Sequence, residues 1–275
     1  MLRVLLARNP SPMTLDGTRT FVVGSRRPAV IDPGPDDPAH LAAVLAALGG
    51  IAPVAILLTH AHADHADAAR ALAARTGAPV RMRAGALGSG GMGGLAGAWL
   101  EEGERIATDA GDLHAVATPG HAPEHASFLW TGGPAEHERA LFAGDMFVGG
   151  ADTSLVAPPE GNLTDYLTSL DRVEALAPST IHPAHGPPIP DAADAIRRYR
   201  AHRAERIEQV VRALRQEGAA RPAELVPRVY GPELLPALIP AAEGSLRAIL
   251  AHLAAVGAVR ATGEGRYRLD QPEQR

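Results

Sequence analysis

A chain of 275 residues, 46% hydrophobic and 21% charged, carries enough apolar material for one large domain or for a large and a small one. It has no Cys, which excludes disulfides, thiolate metal ligands and a Cys nucleophile, and no Lys, so every basic side chain is Arg. The net charge of −5 argues against a surface built as a whole for nucleic acid, and no stretch approaches the roughly 18 apolar residues of a membrane span.

In chain order, the segment Met1 to Arg8 reads as a first strand and not as a signal peptide, so a cytoplasmic protein is expected. Candidate strands are Leu2–Ala7, Thr20–Gly24, Ala29–Asp32, Val54–Thr59, Pro79–Met82, Asp112–Ala117, Ala126–Trp130 and Ala140–Ala143. Helices are expected at Pro38–Leu48 and Asp67–Thr76, the second closed by Gly77. Many strands with few helices between them predict a layered α/β architecture. Gly88-Ser89-Gly90-Gly91-Met92-Gly93 has the spacing of a dinucleotide loop. Gly94 and Gly97 follow where a helix should begin, so a flexible loop near the site rim is expected instead. A Pro/Gly-rich loop at 149–161 leads to a helix over Tyr166–Leu176, and a long one follows over Asp191–Glu217. The tail reads as a winged-helix-like unit: helices near Pro222–Val229 and Ala241–Val256, then two alternating runs joined by Gly263-Glu264-Gly265. The domains are expected at 1–204 and 205–275. Residues 193–275 hold 14 Arg against 10 acids, while residues 1–192 hold 12 Arg against 21 acids.

The chemistry concentrates in His60-Ala61-His62-Ala63-Asp64-His65, directly after an apolar run. Imidazole and carboxylate suit zinc and its neighbours. Alternation along an extended segment puts His60, His62 and Asp64 on one side, with His65 turning to the next position. Four candidate ligands crowd one metal, so two adjacent metals are expected. His121, Asp145 and His185 each lie in a loop after an apolar run, beside small residues that let the backbone approach closely. Seven ligands fit a two-metal site, and Asp145, with two oxygens, is the natural bridge.

The whole pattern resembles the metallo-β-lactamase fold superfamily of hydrolases, over about residues 20–190. The resemblance implies a four-layer αββα sandwich with the metals at one sheet edge. It implies one metal on His60, His62 and His121, a second on Asp64, His65 and His185, and Asp145 between them. Asp32 sits where the family places a carboxylate that orients a ligand His. His125 is expected to hold the pocket or to protonate a leaving group. A narrower likeness to the branch called β-lactamase-like proteins rests on the segment Asn9 to Thr18, the segment Leu163 to Leu170, His202-Arg203-x-x-Arg206 and the winged tail. That branch includes single-strand-specific endoribonucleases and thioesterase relatives.

The expected activity is therefore metal-dependent hydrolysis by a metal-bridging hydroxide, with Asp64 and Asp145 as catalytic carboxylates. Single-stranded RNA is the first substrate expected, with Arg203 and Arg206 as its contacts. A small activated acyl group, thioester or lactone, is the alternative, and β-lactam turnover ranks behind both. Two divalent ions are implied, with Zn2+ the default and Mn2+ or Fe2+ also suited to such ligands. The tail is expected to serve nucleic-acid binding or homodimerisation, and no membrane partner is expected.

Overall fold

The computed structural model describes residues 1–84, 99–133 and 139–270. The glycine-rich run at 88–93 and His137 lie outside the described residues.

Two five-stranded sheets face each other. The first runs in the order β1 (Leu2–Leu6), β2 (Arg19–Val23), β3 (Ala29–Ile31), β4 (Ala55–Leu57) and β5 (Val80–Arg81). The second runs in the order β10 (Thr180–Pro183), β9 (Arg139–Gly144), β8 (Ala126–Thr131), β7 (Gly111–Ala117) and β6 (Arg105–Thr108). Strand alternation divides their side chains between three apolar layers. Phe21, Val23, Ile31 and Leu57 meet Leu113, Phe128, Trp130 and Phe142 between the sheets. Val22, Val30 and Ile56 point the other way, onto Val44 and Leu48 of α1 (Pro38–Leu48) and Leu72 of α3 (Ala69–Thr76). Leu129, Leu141 and Ile181 face outward from the second sheet, onto α4 (Leu163–Leu176) and α5 (Ala192–Glu217). These layers make the αββα order. The inner strands are buried on both faces, which is why the sequence shows continuous apolar runs at β4 and β9.

β6 and β10 are strands the sequence pattern did not mark. β6 pairs along β7, and β10 runs parallel to β9. Both are four residues long, and their alternation is too short to read without the neighbour that pairs them. His182 in β10 is buried between the rings of Phe21 and Phe142, a packing role.

The carboxyl ends of several strands meet at one edge. β3 and β4 are parallel, as are β9 and β10. β7 and β9 are both antiparallel to β8, so they point the same way as each other. The segments after β3, β4, β7, β9 and β10 therefore emerge together. Among open α/β sheets this is the edge where ligands gather. The Ala126 N–H donates to Thr59 O at 2.8 Å, which ties the two sheets at that edge.

α5 is one unbroken helix of 26 residues and runs through positions 204 and 205. Beyond it, α6 (Pro222–Tyr230), α7 (Ile239–Ala255) and the hairpin of β11 (Val259–Thr262) and β12 (Arg266–Leu269) form the winged helix. Ala220 bridges Tyr267 and so adds a third short strand segment. Leu225, Leu246, Ile249 and Leu250 share one continuous core with Leu163, Tyr166, Leu170 and Leu214. No helix among the described residues is long and apolar enough to cross a membrane.

Candidate metal centre

The ligand loop begins where β4 ends, and its local form departs from the alternating pattern. His62 is extended and precedes a short helix, α2 (Ala63–Ala66), which holds Asp64 and His65 in its first turn. Alternation therefore governs only His60 and His62. The turn then carries Asp64 and His65 round to a second group, which an extended chain would not do. The expected helix over Asp67–Thr76 is found as α3, which begins two residues later, while α2 is a separate turn upstream of it.

All seven candidate ligands converge at the sheet edge. His60, His62, His121 and Asp145 form one group, and Asp64, His65 and His185 form another, the ligating atoms of each lying within 4.8 Å of one another. In the first group, His62 Nδ1 lies 2.8 Å from His60 Nε2 and 3.1 Å from His121 Nε2. In the second, His65 Nε2 and His185 Nε2 each lie 3.4 Å from Asp64 Oδ2. Asp145 faces both. Its Oδ1 is 3.3 Å from His65 Nε2 and 3.2 Å from His185 Nε2, and its Oδ2 is 3.5 Å from His121 Nε2.

The other nitrogen of each imidazole is anchored, and the anchors fix the tautomers. His121 Nδ1–H donates to Leu155 O at 2.8 Å, and His185 Nδ1–H donates to Gly17 O at 3.2 Å. His65 Nδ1–H donates to Asp32 Oδ2 at 2.9 Å, and His62 Nε2–H donates to Glu160 Oε2 at 2.6 Å. The Thr59 hydroxyl donates to Asp32 Oδ2 at 2.8 Å, so it accepts from His60 Nδ1–H at 3.0 Å. Five lone pairs thus point inward at one another and at two carboxylates. His65 Nε2 and Asp145 Oδ1 are buried with no hydrogen-bond partner. Buried polar atoms without partners are costly, and convergent lone pairs repel. Divalent cations answer both, so the residues present fit a metal pair.

The electrostatics follow the same geometry. Burial pushes the His60 and His121 pKa values down, favouring neutral imidazole. Burial also opposes charge on His65, but Asp145 and Asp32 outweigh it and raise its pKa well above the ordinary value. Burial likewise opposes ionisation of Asp145, and His65 and His185 overcome it, holding the carboxyl well below the usual range.

Asp32 lies just past β3 with φ of 48°, a left-handed conformation that Asp tolerates. That turn sends its carboxylate back to the Thr59 amide at 2.8 Å, the Thr59 hydroxyl and His65. His125 is fully buried. Its Nε2 accepts from the Asp145 N–H at 3.2 Å, and its Nδ1 donates to Thr118 Oγ1 at 2.9 Å. Burial drives its pKa down to about 3, so it is neutral. With both nitrogens committed, it holds the Asp145 loop. Gly144 makes that contact possible, because a Cβ there would come within 2.7 Å of His125 Nε2 and Thr59 Oγ1.

Arg203 and Arg206 do not reach the metal cavity. Arg203 is buried; its guanidinium donates to Ser154 O and lies 4.7 Å from the centre of the Tyr166 ring. Arg206 donates to Val229 O at 2.9 Å and to Gln209 Oε1 at 2.8 Å, and it lies over the Tyr230 ring. Both line a cavity next to the metal cavity. Three supporting residues escaped sequence reasoning. Glu160 holds His62, Thr18 donates to Asp64 Oδ2 at 2.8 Å, and Glu124 accepts from the Ala61 N–H at 3.1 Å. Glu160 is an acid in a Pro/Gly loop 98 positions from its partner, and no local pattern marks it.

A family model described as the metallo-beta-lactamase superfamily matches residues 14–185, and one described as the beta-lactamase associated winged helix domain matches residues 222–267. The chain is 30% identical over 190 residues to the beta-lactamase-like protein 2 homolog of Caenorhabditis elegans, covering 67% of this chain and 61% of that one. It is 33% identical over 190 residues to the lactamase-like protein nscB of Neosartorya fischeri, covering 68% and 53%. The matched part thus spans only half to three fifths of those relatives' lengths. A metallo-beta-lactamase family protein from Thermus thermophilus superposes with a TM-score of 0.79 at 23% identity, over 98% of both chains. The protein TTHA1623, solved in a di-iron-bound form, superposes with a TM-score of 0.54 at 27% identity, over 70% of this chain and 96% of that one. With its ligand-bearing sheet edge and its winged tail, the chain belongs to the metallo-beta-lactamase superfamily.

Proposed function

We propose that this hydrolase cleaves thioesters, acyl bonds whose leaving group departs unaided, and not RNA phosphodiesters. One group of observations carries that reading: every side-chain donor lining the metal cavity is already committed. Thr14 donates to Asn9 O, and Ser154 to Asp145 O. The N–H groups of His62, His121 and His185 point away to Glu160, Leu155 and Gly17. Among the described residues, then, no side chain in the cavity is free to protonate a leaving group. A thiol with a pKa near 8.5 departs as thiolate without help, whereas a ribose oxygen needs an acid.

The cations of the tail argue in the same direction. Arg212, Arg221, Arg228, Arg247, Arg260 and Arg266 are paired with Glu208, Glu264, Glu217, Glu243, Asp270 and Glu224. Such exposed pairs add little stability, but they cancel the field a phosphate backbone would follow.

The first ion would be held by His60, His62 and His121, the second by Asp64, His65 and His185, with Asp145 spanning both. When bound, divalent metal supplies an acidified water at near-neutral pH and polarises the scissile carbonyl. Asp64, steadied by Thr18, orients the attacking water by accepting its hydrogen bond. Asp145, steadied by its backbone contact to His125, keeps the two groups in register. The metals reading rests on N/O chemistry, which suits zinc, iron or manganese alike.

The test is hydrolysis of an S-octanoyl N-acetylcysteamine thioester and of a labelled single-stranded RNA by metal-loaded protein. We expect thioester turnover, reduced at least about 100-fold in Asp145→Ala. RNA cleavage that disappears in Asp145→Ala, with no thioester turnover, would overturn the reading.

A further inference from the structure

A cavity of about 350 Å³ opens between the catalytic domain and the winged helix. It shares Met13, Val148, Ser154 and Leu155 with the metal cavity, so the two adjoin. Its size falls within the range of small-molecule sites, about 300–1,000 Å³. Its walls are largely apolar: Met13 and Leu155 on the metal side, Leu234, Leu238 and Ile249 on the winged-helix side.

Two cations interrupt that apolar lining. Arg203 is 4% exposed, its Nε is buried with no hydrogen-bond partner, and its contacts are a carbonyl oxygen and an aromatic ring. Arg206 is partly buried on the same wall, with a carbonyl, an amide and an aromatic ring as partners. Neither has a carboxylate partner among the described residues, although most arginines of α5 and the tail do, and no acid lines the cavity. A buried cation without a counter-ion is costly unless something else neutralises it.

We infer that this junction cavity binds the apolar body of an anionic ligand, with Arg203 and Arg206 taking its carboxylate or phosphate group. This deepens the acyl reading and rests on it for the position of the scissile bond, which lies in the adjoining metal cavity. The anion has two sources in such a substrate: a carboxylate at the far end of the acyl chain, or the phosphate of a phosphopantetheine arm. Arg206 and Arg203 are thus specificity residues and not part of the bond-breaking step.

Calorimetric titration of metal-loaded protein with octane-1-sulfonate and with 1-octanol tests the cavity apart from turnover, since sulfonate is a poor metal ligand. We expect the sulfonate to bind roughly tenfold tighter or more. Arg206→Gln should reduce that preference to less than about threefold, and Leu238→Asp, on the opposite wall, should weaken both ligands. Equal binding of the two probes, or a preference that survives Arg206→Gln, overturns the inference. In parallel, KM is compared for octanoyl and ω-carboxyoctanoyl N-acetylcysteamine thioesters and for octanoyl phosphopantetheine. The anionic substrate whose KM rises most in Arg206→Gln identifies the source of the anion. If the sulfonate preference holds and depends on Arg206 but no thioester turns over, the cavity stands and the acyl reading falls.

Discussion

Each imidazole of the centre is aimed by a group behind it, and all of these groups but Thr59, next to His60, lie far off in the chain. Glu160 is the clearest case, because its carboxylate both fixes the His62 tautomer and raises the basicity of the inward nitrogen. Glu160→Gln should weaken metal binding about 10- to 100-fold, measured by competition with a chromophoric chelator; unchanged affinity would remove Glu160 from the centre. His40 illustrates a different constraint. It is buried, and its Nε2–H donates at 2.8 Å to the Thr20 hydroxyl, which itself donates to Asp32 O. Burial lowers its pKa below the ordinary value, so the unfolded chain takes up the proton first. The stability carried by neutral His40 is complete above about pH 6.5 and is lost as pH falls through that value toward the folded pKa. The fall in Tm between about pH 7.5 and about pH 5.5 should therefore be shallower in His40→Gln than in the parent. Parallel curves would show that His40 titrates alike in both states.

At the scale of elements, the site depends on turns that lock one sheet to the other. Asp109, in the turn between β6 and β7, accepts from the amides of Ser25, Arg26 and Arg27 at 2.8, 3.0 and 3.1 Å. Those amides line the turn between β2 and β3, so a carboxylate of the second sheet caps a hairpin of the first. The same three donors hold Asp109 well below the usual carboxylate range. Its contribution is present above the unfolded pKa of about 3.9 and is lost as pH falls below it. Asp109→Ala should lower Tm by roughly 2–4 °C at neutral pH, and the difference should vanish in strong acid. A Tm equal to the parent's would make the cap ornamental. Helix starts were easier to read than such contacts. Asp37, Asn162 and Asp191 cap α1, α4 and α5 with their side chains, and capping residues announce themselves locally. α2 did not, because its four residues carry ligands where a helix would carry a hydrophobic face.

The molecule as a whole is bound by one core that runs from the second sheet through α4 and α5 into the winged helix. Leu246 of α7 is fully buried in it. Leu246→Ala should cost about 2–5 kcal/mol. Because the core is shared, it should shift the unfolding of the entire chain. Urea unfolding followed by far-UV circular dichroism and by metal release should move together; a metal-release transition left in place would mean that the winged helix unfolds alone. The shared core also fixes the cavity at the junction, since Ile249 and Leu238 form its far wall.

The candidate metal ligands, the layered fold and the winged tail could be read from the chain because their signals are local: a dense His/Asp run, alternating apolar strands, a hairpin with glycines. Spacing alone did not divide the ligands into two groups; the resemblance implied the division, and α2 produces it by turning Asp64 and His65 away from His62. Only the tertiary structure could bring Glu160 and Thr18 behind their partners, because hydrogen bonds across dozens of positions leave no periodicity in sequence; Asp32 was expected from the family resemblance alone. It also decided what Arg203 and Arg206 do. A run of arginines on one helix reads as a solvated or phosphate-facing stripe, but burial against Ser154, Tyr166 and Tyr230 depends on which face of α5 the winged helix covers. Spacing determines which residues can share a local turn, and packing determines which of them water can reach.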